Sequence, residues 1–68
     1  ESWFEVRDAS GNIVATGTGS AGQVRSVRGT APLALVIGNA GQVRLSHNGQ
    51  AVDLVPHTRV SVARLTLQ

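Results

Sequence analysis

The sequence has no cysteine, methionine, lysine or tyrosine, and its only aromatic side chains are Trp3 and Phe4. Without cysteine, neither a disulfide nor a thiolate zinc site can form. A chain of 68 residues suits one domain, and one this short buries only about 60% of the surface that its unfolded form exposes. Its stability must therefore come from aliphatic packing and from closed backbone hydrogen bonding.

Acidic residues and long apolar runs are also scarce. The sequence has six arginines and four carboxylate side chains, and its net charge of +2 creates only a weak long-range electrostatic field. No stretch approaches the roughly 18 apolar residues of a membrane helix, and no signal peptide is present. The sequence starts at Glu1 and enters a strand-like pattern at once, so we expect a piece of a longer protein.

Apolar and polar residues alternate with a period of two, and turn residues interrupt the alternation throughout. This pattern predicts an all-β fold, a small single-domain sandwich or barrel of about seven short, mainly antiparallel strands, with under about 10% helix. The predicted strands cover residues 2–8, 13–16, 23–28, 33–37, 43–47, 50–54 and 60–67.

Asn48-Gly49 is the strongest turn signal, because both central residues of a type I′ hairpin turn need a positive φ. It predicts that residues 43–47 pair with residues 50–54. The alternation then places four apolar side chains on one buried face: Val43, Leu45, Val52 and Leu54. In the last predicted strand, Ala63, Leu65 and Leu67 share the inward face.

The segment GTGSAG at residues 17–22 matches the dinucleotide-binding pattern G-x-G-x-x-G. That chemistry needs the loop to open a helix whose N-terminus faces the pyrophosphate. Here a strand-like segment follows, and no acidic residue lies about 20 positions further on. We therefore interpret the segment as a glycine-rich turn that ends the second strand, and we predict no cofactor.

Catalytic and metal-binding patterns are weak as well. His47 and His57 are the only histidines, and no carboxylate stands at ligand spacing around them. Ser46, His47 and Asp53 include the residue types of a catalytic triad, but no nucleophile-elbow motif surrounds a serine. Neighbouring residues of a strand also point to opposite faces. We predict that the chain is not an enzyme and binds no metal.

The arginines raise the alternative of a nucleic-acid-binding surface. Small β-domains that bind single strands stack the bases on several aromatic side chains. Trp3 and Phe4 are adjacent, so a strand sends them to opposite faces, and nucleic-acid binding is disfavoured. We expect Trp3 to serve packing rather than binding. A ligand-binding β-domain for glycan or single-stranded nucleic acid stays open as the alternative function.

Four stretches, in order and at compatible spacing, resemble the C-terminal domain of the bacterial cell-shape protein family RodZ. They are SWFEVRDASG at residues 2–11, APLALVIGNA at 31–40, NGQAVDL at 48–54 and VARLTL at 62–67. The sequence departs from the family pattern at Val60-Ser61, where Gly-Asn is usual, and at Gln23, where Glu is frequent. Neither departure touches the predicted core.

This resemblance implies a location and a role. Residues 1–68 would be one β-domain of a single-pass membrane protein, on the extracytoplasmic (periplasmic) side of the bacterial inner membrane. The parent would support rod-shape maintenance during cell-wall elongation, and an absent cytoplasmic helix-turn-helix domain would contact the actin-like protein MreB. The domain itself would be a non-catalytic interaction module for envelope proteins of the elongation machinery, with no small-molecule substrate. No catalytic or ligand residue carries over from the family.

Two arginines stand at outward positions of predicted strands. If Val43 and Leu45 point inward, Arg44 points to solvent, and Arg64 does so between Ala63 and Leu65. Arginine is enriched at protein interfaces because its guanidinium makes several directed hydrogen bonds. Arg44 and Arg64 are therefore the candidate residues of a protein-interaction face.

Overall fold

A computed structural model describes residues 1–20 and 22–68. These residues form seven strands and two short 3-10 turns, and no α-helix occurs among them, which confirms the all-β prediction. No helix in the described part of the chain is long and apolar enough to cross a membrane. The strands are β1 (Ser2–Arg7), β2 (Ile13–Gly19), β3 (Leu33–Gly38), β4 (Leu45–His47), β5 (Gln50–Val52), β6 (Thr58–Arg59) and β7 (Val62–Leu67). The 3-10 turns cover Ala40–Gln42 and Val55–His57.

Five strands form one antiparallel sheet in the order β2-β1-β3-β7-β6, and β4 and β5 form a separate hairpin. The hairpin packs over one face of the five-stranded sheet, which we call the inner face. The other face, the outer face, carries the side chains that alternate with the inner ones. The fold therefore has two layers, a sheet and a hairpin.

The core lies between the two layers. Its buried side chains come from β1, β3 and β7 and from the segments that flank the hairpin, and Ala63 at its centre has no exposed surface. The predicted face of the hairpin is confirmed, because Leu54 is buried and its three partners pack against the core. The buried members are Val6, Leu35, Ile37, Ala40, Leu54, Ala63 and Leu65.

The Asn48-Gly49 turn forms as the sequence predicts. Asn48 has φ 53° and Gly49 has φ 80°, and His47 lies opposite Gln50. Two positive φ values between paired residues define the type I′ turn that matches the twist of the two strands. The ladder is shorter than predicted, since β4 and β5 pair over only three residues each.

The strand predicted at residues 23–28 is wrong. These residues join no ladder, and Val24 is 88% exposed while Val27 packs against the core. Two valines three positions apart cannot share one face of a strand, and no neighbouring strand offers the segment a partner. The prediction that β2 ends at Thr16 is also wrong, because the strand continues to Gly19 with Gly17 opposite Phe4. Within the predicted 17–22 turn, Ala21 lies outside the described residues.

The last predicted strand, residues 60–67, begins two residues too early, because β7 starts at Val62 and residues 60–61 form a turn. The short strand β6 before that turn lies outside every predicted strand. β6 turns into β7 through Val60 and Ser61, with Arg59 opposite Val62. Val60 has φ 60°, which places it in the left-handed region that a β-branched side chain rarely adopts. The total of seven described strands thus agrees with the prediction, although the predicted strand at residues 23–28 is absent and β6 is an additional strand that was not predicted.

Candidate interaction surfaces

The outer face is open to solvent. Every side chain that the ladder places there is exposed or half-buried, apart from Gly38, which lies beneath Trp3. Cross-strand partners in an antiparallel ladder share a face, so the register defines three rows across the outer face of the sheet. The first row is Thr18, Trp3, Gly38, Val62 and Arg59; the second is Thr16, Glu5, Val36 and Arg64; the third is Ile13, Arg7, Ala34 and Thr66.

Trp3 anchors the first row. It lies directly opposite Gly38, and a Cβ at position 38 would collide with the indole ring at Nε1 and Cε2. The ring therefore rests on the backbone of β3, where only glycine leaves room for it. Trp3 still exposes 45% of its surface. The expectation that Trp3 serves packing is thus half right: it packs, but on the face away from the core.

The charges of the outer face are unequally compensated. Arg7 pairs with Glu5 at 2.9 Å between Nε and Oε2. No carboxylate of the described residues pairs with Arg59 or Arg64. An exposed tryptophan beside half-buried valines and uncompensated arginines has the composition of an interface hot spot, which is enriched in Trp and Arg.

The two predicted interface residues lie in different layers. Arg64 is exposed on the outer face opposite Val36. Arg44 is exposed in the segment that leads into β4, between Val43 and Leu45, whose side chains pack on the core. The structure therefore confirms that each points to solvent but does not bring the two onto one surface. Trp3 and Arg59 were not among the predicted interaction residues, although strand alternation had already placed Trp3 on the face opposite to Phe4.

The inner face is incompletely covered. An open groove of about 880 Å³ separates β4 and its leading segment from residues 22–27. Its floor is apolar, and Phe4 lies under the guanidinium of Arg25, whose Cζ is 5.6 Å from the ring centroid. Arg25 also donates a hydrogen bond from Nη2 to the Thr18 carbonyl at 2.7 Å. Arg44 stands on the opposite wall.

The residue types of catalytic and metal sites form no metal-binding cluster in the described part of the chain. No group of three His, Cys, Asp or Glu side chains that could hold a metal occurs among the described residues. Asp53 accepts a hydrogen bond from the Val55 amide at 3.0 Å, which orders the turn after β5. The absence of a metal, a cofactor and an activity stays a prediction. Trp3 is the one exposed large aromatic side chain in the described part of the chain, whereas β-domains that bind single strands present several.

These features define a class: a small two-layer β-domain whose distinctive surfaces are an open sheet face and an apolar groove. The family model for the RodZ C-terminal domain matches residues 1–66. The chain therefore belongs to the RodZ C-terminal domain family, as the sequence resemblance predicted, and it is a domain of a RodZ-like cell-shape protein. No solved structure matches the chain.

Proposed function

We propose that this chain is a non-catalytic interaction module on the extracytoplasmic side of the bacterial inner membrane, where it supports rod-shape maintenance and cell-wall elongation. Membership of the RodZ C-terminal domain family supports this role and location. The observation that carries the proposal is the uncovered outer face, where Trp3 lies exposed on Gly38. Its occupant is another envelope protein of the elongation machinery.

The geometry of the outer face indicates the kind of partner. Trp3, Val36 and Val62 form an apolar centre, and Arg59 and Arg64 add two cations at its side. A partner with an apolar centre and acidic side chains complements this surface, because opposite charges steer encounter and fix the register of the complex.

The size of the face indicates how strong the contact is. Four strands of six or seven residues and the two-residue strand β6, spaced about 4.8 Å apart and rising 3.3 Å per residue, give a surface roughly 20 Å long and at most about 20 Å wide. That is about half of the area that one partner contributes to a standard interface. The module is therefore suited to a weak contact that acts together with the rest of the parent protein.

The test is complementation by the full-length parent protein in rod-shaped cells that lack their own copy. Arg64→Glu reverses a charge on the outer face, and Trp3→Ala removes its aromatic anchor. Arg28→Glu is the matched control, because Arg28 is exposed and lies on neither surface. Each charge change should alter stability by less than about 0.5 kcal/mol, as is usual for exposed sites.

The two outer-face variants should give rounded or irregular cells, and the control should give normal rods. The comparison is valid only if the cellular level and the thermal unfolding temperature of each variant match those of the unmodified protein. Normal rods with both folded outer-face variants would show that this surface does not carry the function.

A further inference from the structure

A second surface has the geometry of a peptide-binding slot. The groove adjoins the edge of β4 that β5 leaves uncovered, since residues 42–47 line it without interruption and β5 contributes none of its lining. Residues 22–27 form the opposite wall. The floor between the walls is apolar and comes from the inner face of the sheet and from the core side of β4 and its leading segment: Phe4, Leu33, Leu35, Ile37, Val43 and Leu45.

The backbone at the β4 edge is unpaired. In a two-residue hairpin, the residues that flank the turn exchange hydrogen bonds and the next pair does not. His47 and Gln50 are the flanking pair, so the N–H and C=O of Ser46 point away from β5 and toward the groove. The Ser46 amide has no hydrogen-bond acceptor among the described residues. This edge can therefore accept another strand.

The opposite wall is also short of backbone partners. The amides of residues 24–27 donate no hydrogen bond to any described group, although their sequence is strand-like. Two unpaired backbone segments thus face each other across an apolar floor. Strand addition uses this combination: main-chain hydrogen bonds supply affinity, and pockets for alternate side chains supply specificity.

The charges of the walls favour an acidic occupant. Arg25 and Arg44 stand on opposite walls, and Glu1 is the one carboxylate residue of the groove lining. The Arg44 guanidinium makes no hydrogen bond or ion pair within the described chain. A carboxylate of the occupant would pair well with the Arg44 guanidinium, because charge-assisted hydrogen bonds are stronger than neutral ones.

We propose that this groove binds an extended segment of a partner protein by strand addition along β4, and that the segment alternates apolar residues with acidic ones. Its apolar side chains enter the floor, and a carboxylate pairs with Arg44. This site lies on the inner side of the sheet and shares only Trp3 with the outer face, and it does not depend on the function proposed for that face.

The probe is a blocked peptide in which valine alternates with glutamate. About seven residues, at 3.3 Å each, span one side of the domain, whose smallest extent is 22 Å. Titration into the isotopically labelled chain should shift backbone amide NMR signals of residues 22–27 and 42–47. A peptide with lysine in place of glutamate, and one N-methylated at alternate amides, should each bind at least about tenfold more weakly.

Two matched pairs of variants locate the site. Ser46→Pro removes the amide that points into the groove, whereas Ala51→Pro changes the opposite residue, whose amide points away from it. Arg44→Glu reverses a charge of the groove, whereas Arg64→Glu reverses one on the outer face. The first member of each pair should weaken binding at least about fivefold, and the second should leave it within about twofold.

The N-methylated peptide tests the backbone contact on the unmodified chain, so the result does not depend on the folding of Ser46→Pro. Equal binding of the methylated peptide, or of the lysine peptide, would overturn the proposal. So would the absence of any shift at residues 42–47. Two other results would also refute peptide binding if the peptide itself gives no response. The same shifts on raising the chain concentration alone would assign the groove to a second copy of the chain. The same shifts on adding anionic phosphatidylglycerol vesicles would assign it to lipid.

Discussion

Single residues set the local limits of this fold. Ala63 is fully buried where the sheet meets the hairpin layer, and a larger side chain there would overfill the core. Gly38 is required because Trp3 occupies the space that a Cβ would fill. Val60 is the opposite case: its φ is 60° and its side chain is fully exposed, so it gains no packing in return for the strained backbone.

Replacing Val60 with glycine should stabilise the domain. Val60 alone of the two central turn residues has a positive φ, and the type II′ turn with that pattern favours glycine at its first central position. The left-handed conformation costs an L-residue roughly 1–2 kcal/mol. Glycine avoids this cost, but its greater conformational freedom in the unfolded chain destabilises the folded state by about 0.5–1 kcal/mol. Val60→Gly should therefore raise the free energy of unfolding by about 0.5–1 kcal/mol, a rise in Tm of roughly 4 °C.

Thermal unfolding followed by circular dichroism measures this change. Val55→Gly is the control, because Val55 is also exposed but does not have a positive φ. The control should be neutral or destabilising. A lower Tm for Val60→Gly would mean that the turn does not hold this residue in the left-handed region.

At the scale of elements, a strand could be predicted correctly where its own sequence contains a turn motif and a clear alternation of apolar and polar residues. The β4–β5 hairpin was predictable because Asn48-Gly49 fixes its turn and the alternation fixes its face. The segment at residues 23–28 was not, because a strand exists only where a neighbour completes its ladder, and none does. β2 was cut short in the prediction because glycine usually signals a turn. Gly17 instead lies within the strand, beside the Phe4 ring and the Arg25 guanidinium.

The hairpin should contribute directly to global stability, since Leu45 packs against the core from β4. Leu45→Ala should cost about 2–3 kcal/mol, the lower part of the range for leucine truncation, because the side chain is only partly buried. Urea unfolding followed by the fluorescence of Trp3, the single tryptophan, gives this value. Ser46→Ala, its exposed neighbour, should change it by less than about 0.5 kcal/mol. A loss for Leu45→Ala no larger than this control would mean that the hairpin does not pack on the sheet.

At the scale of the whole molecule, the hairpin covers one face of the sheet and leaves the other open. Alternation in sequence correctly showed that Arg44 and Arg64 point to solvent. It could not show that they belong to different layers, because that depends on which strands pair. It also could not show that Trp3 meets Gly38, since this contact joins residues 35 positions apart in the chain. Which residues share a candidate surface therefore depends on the strand order of the fold and cannot be derived from the alternation alone.

Site-specific photo-crosslinking in cells tests most directly whether the outer face contacts a partner. A photoreactive residue replaces Thr16 or Thr66, both exposed on the outer face, in the full-length parent protein. Ala51, exposed on the hairpin layer, is the control position. We expect both outer-face positions to give a conjugate of the same size, Arg64→Glu to abolish it, and Ala51 not to give it. A conjugate from Ala51 with none from Thr16 or Thr66, in folded protein, would show that the outer face does not contact the partner.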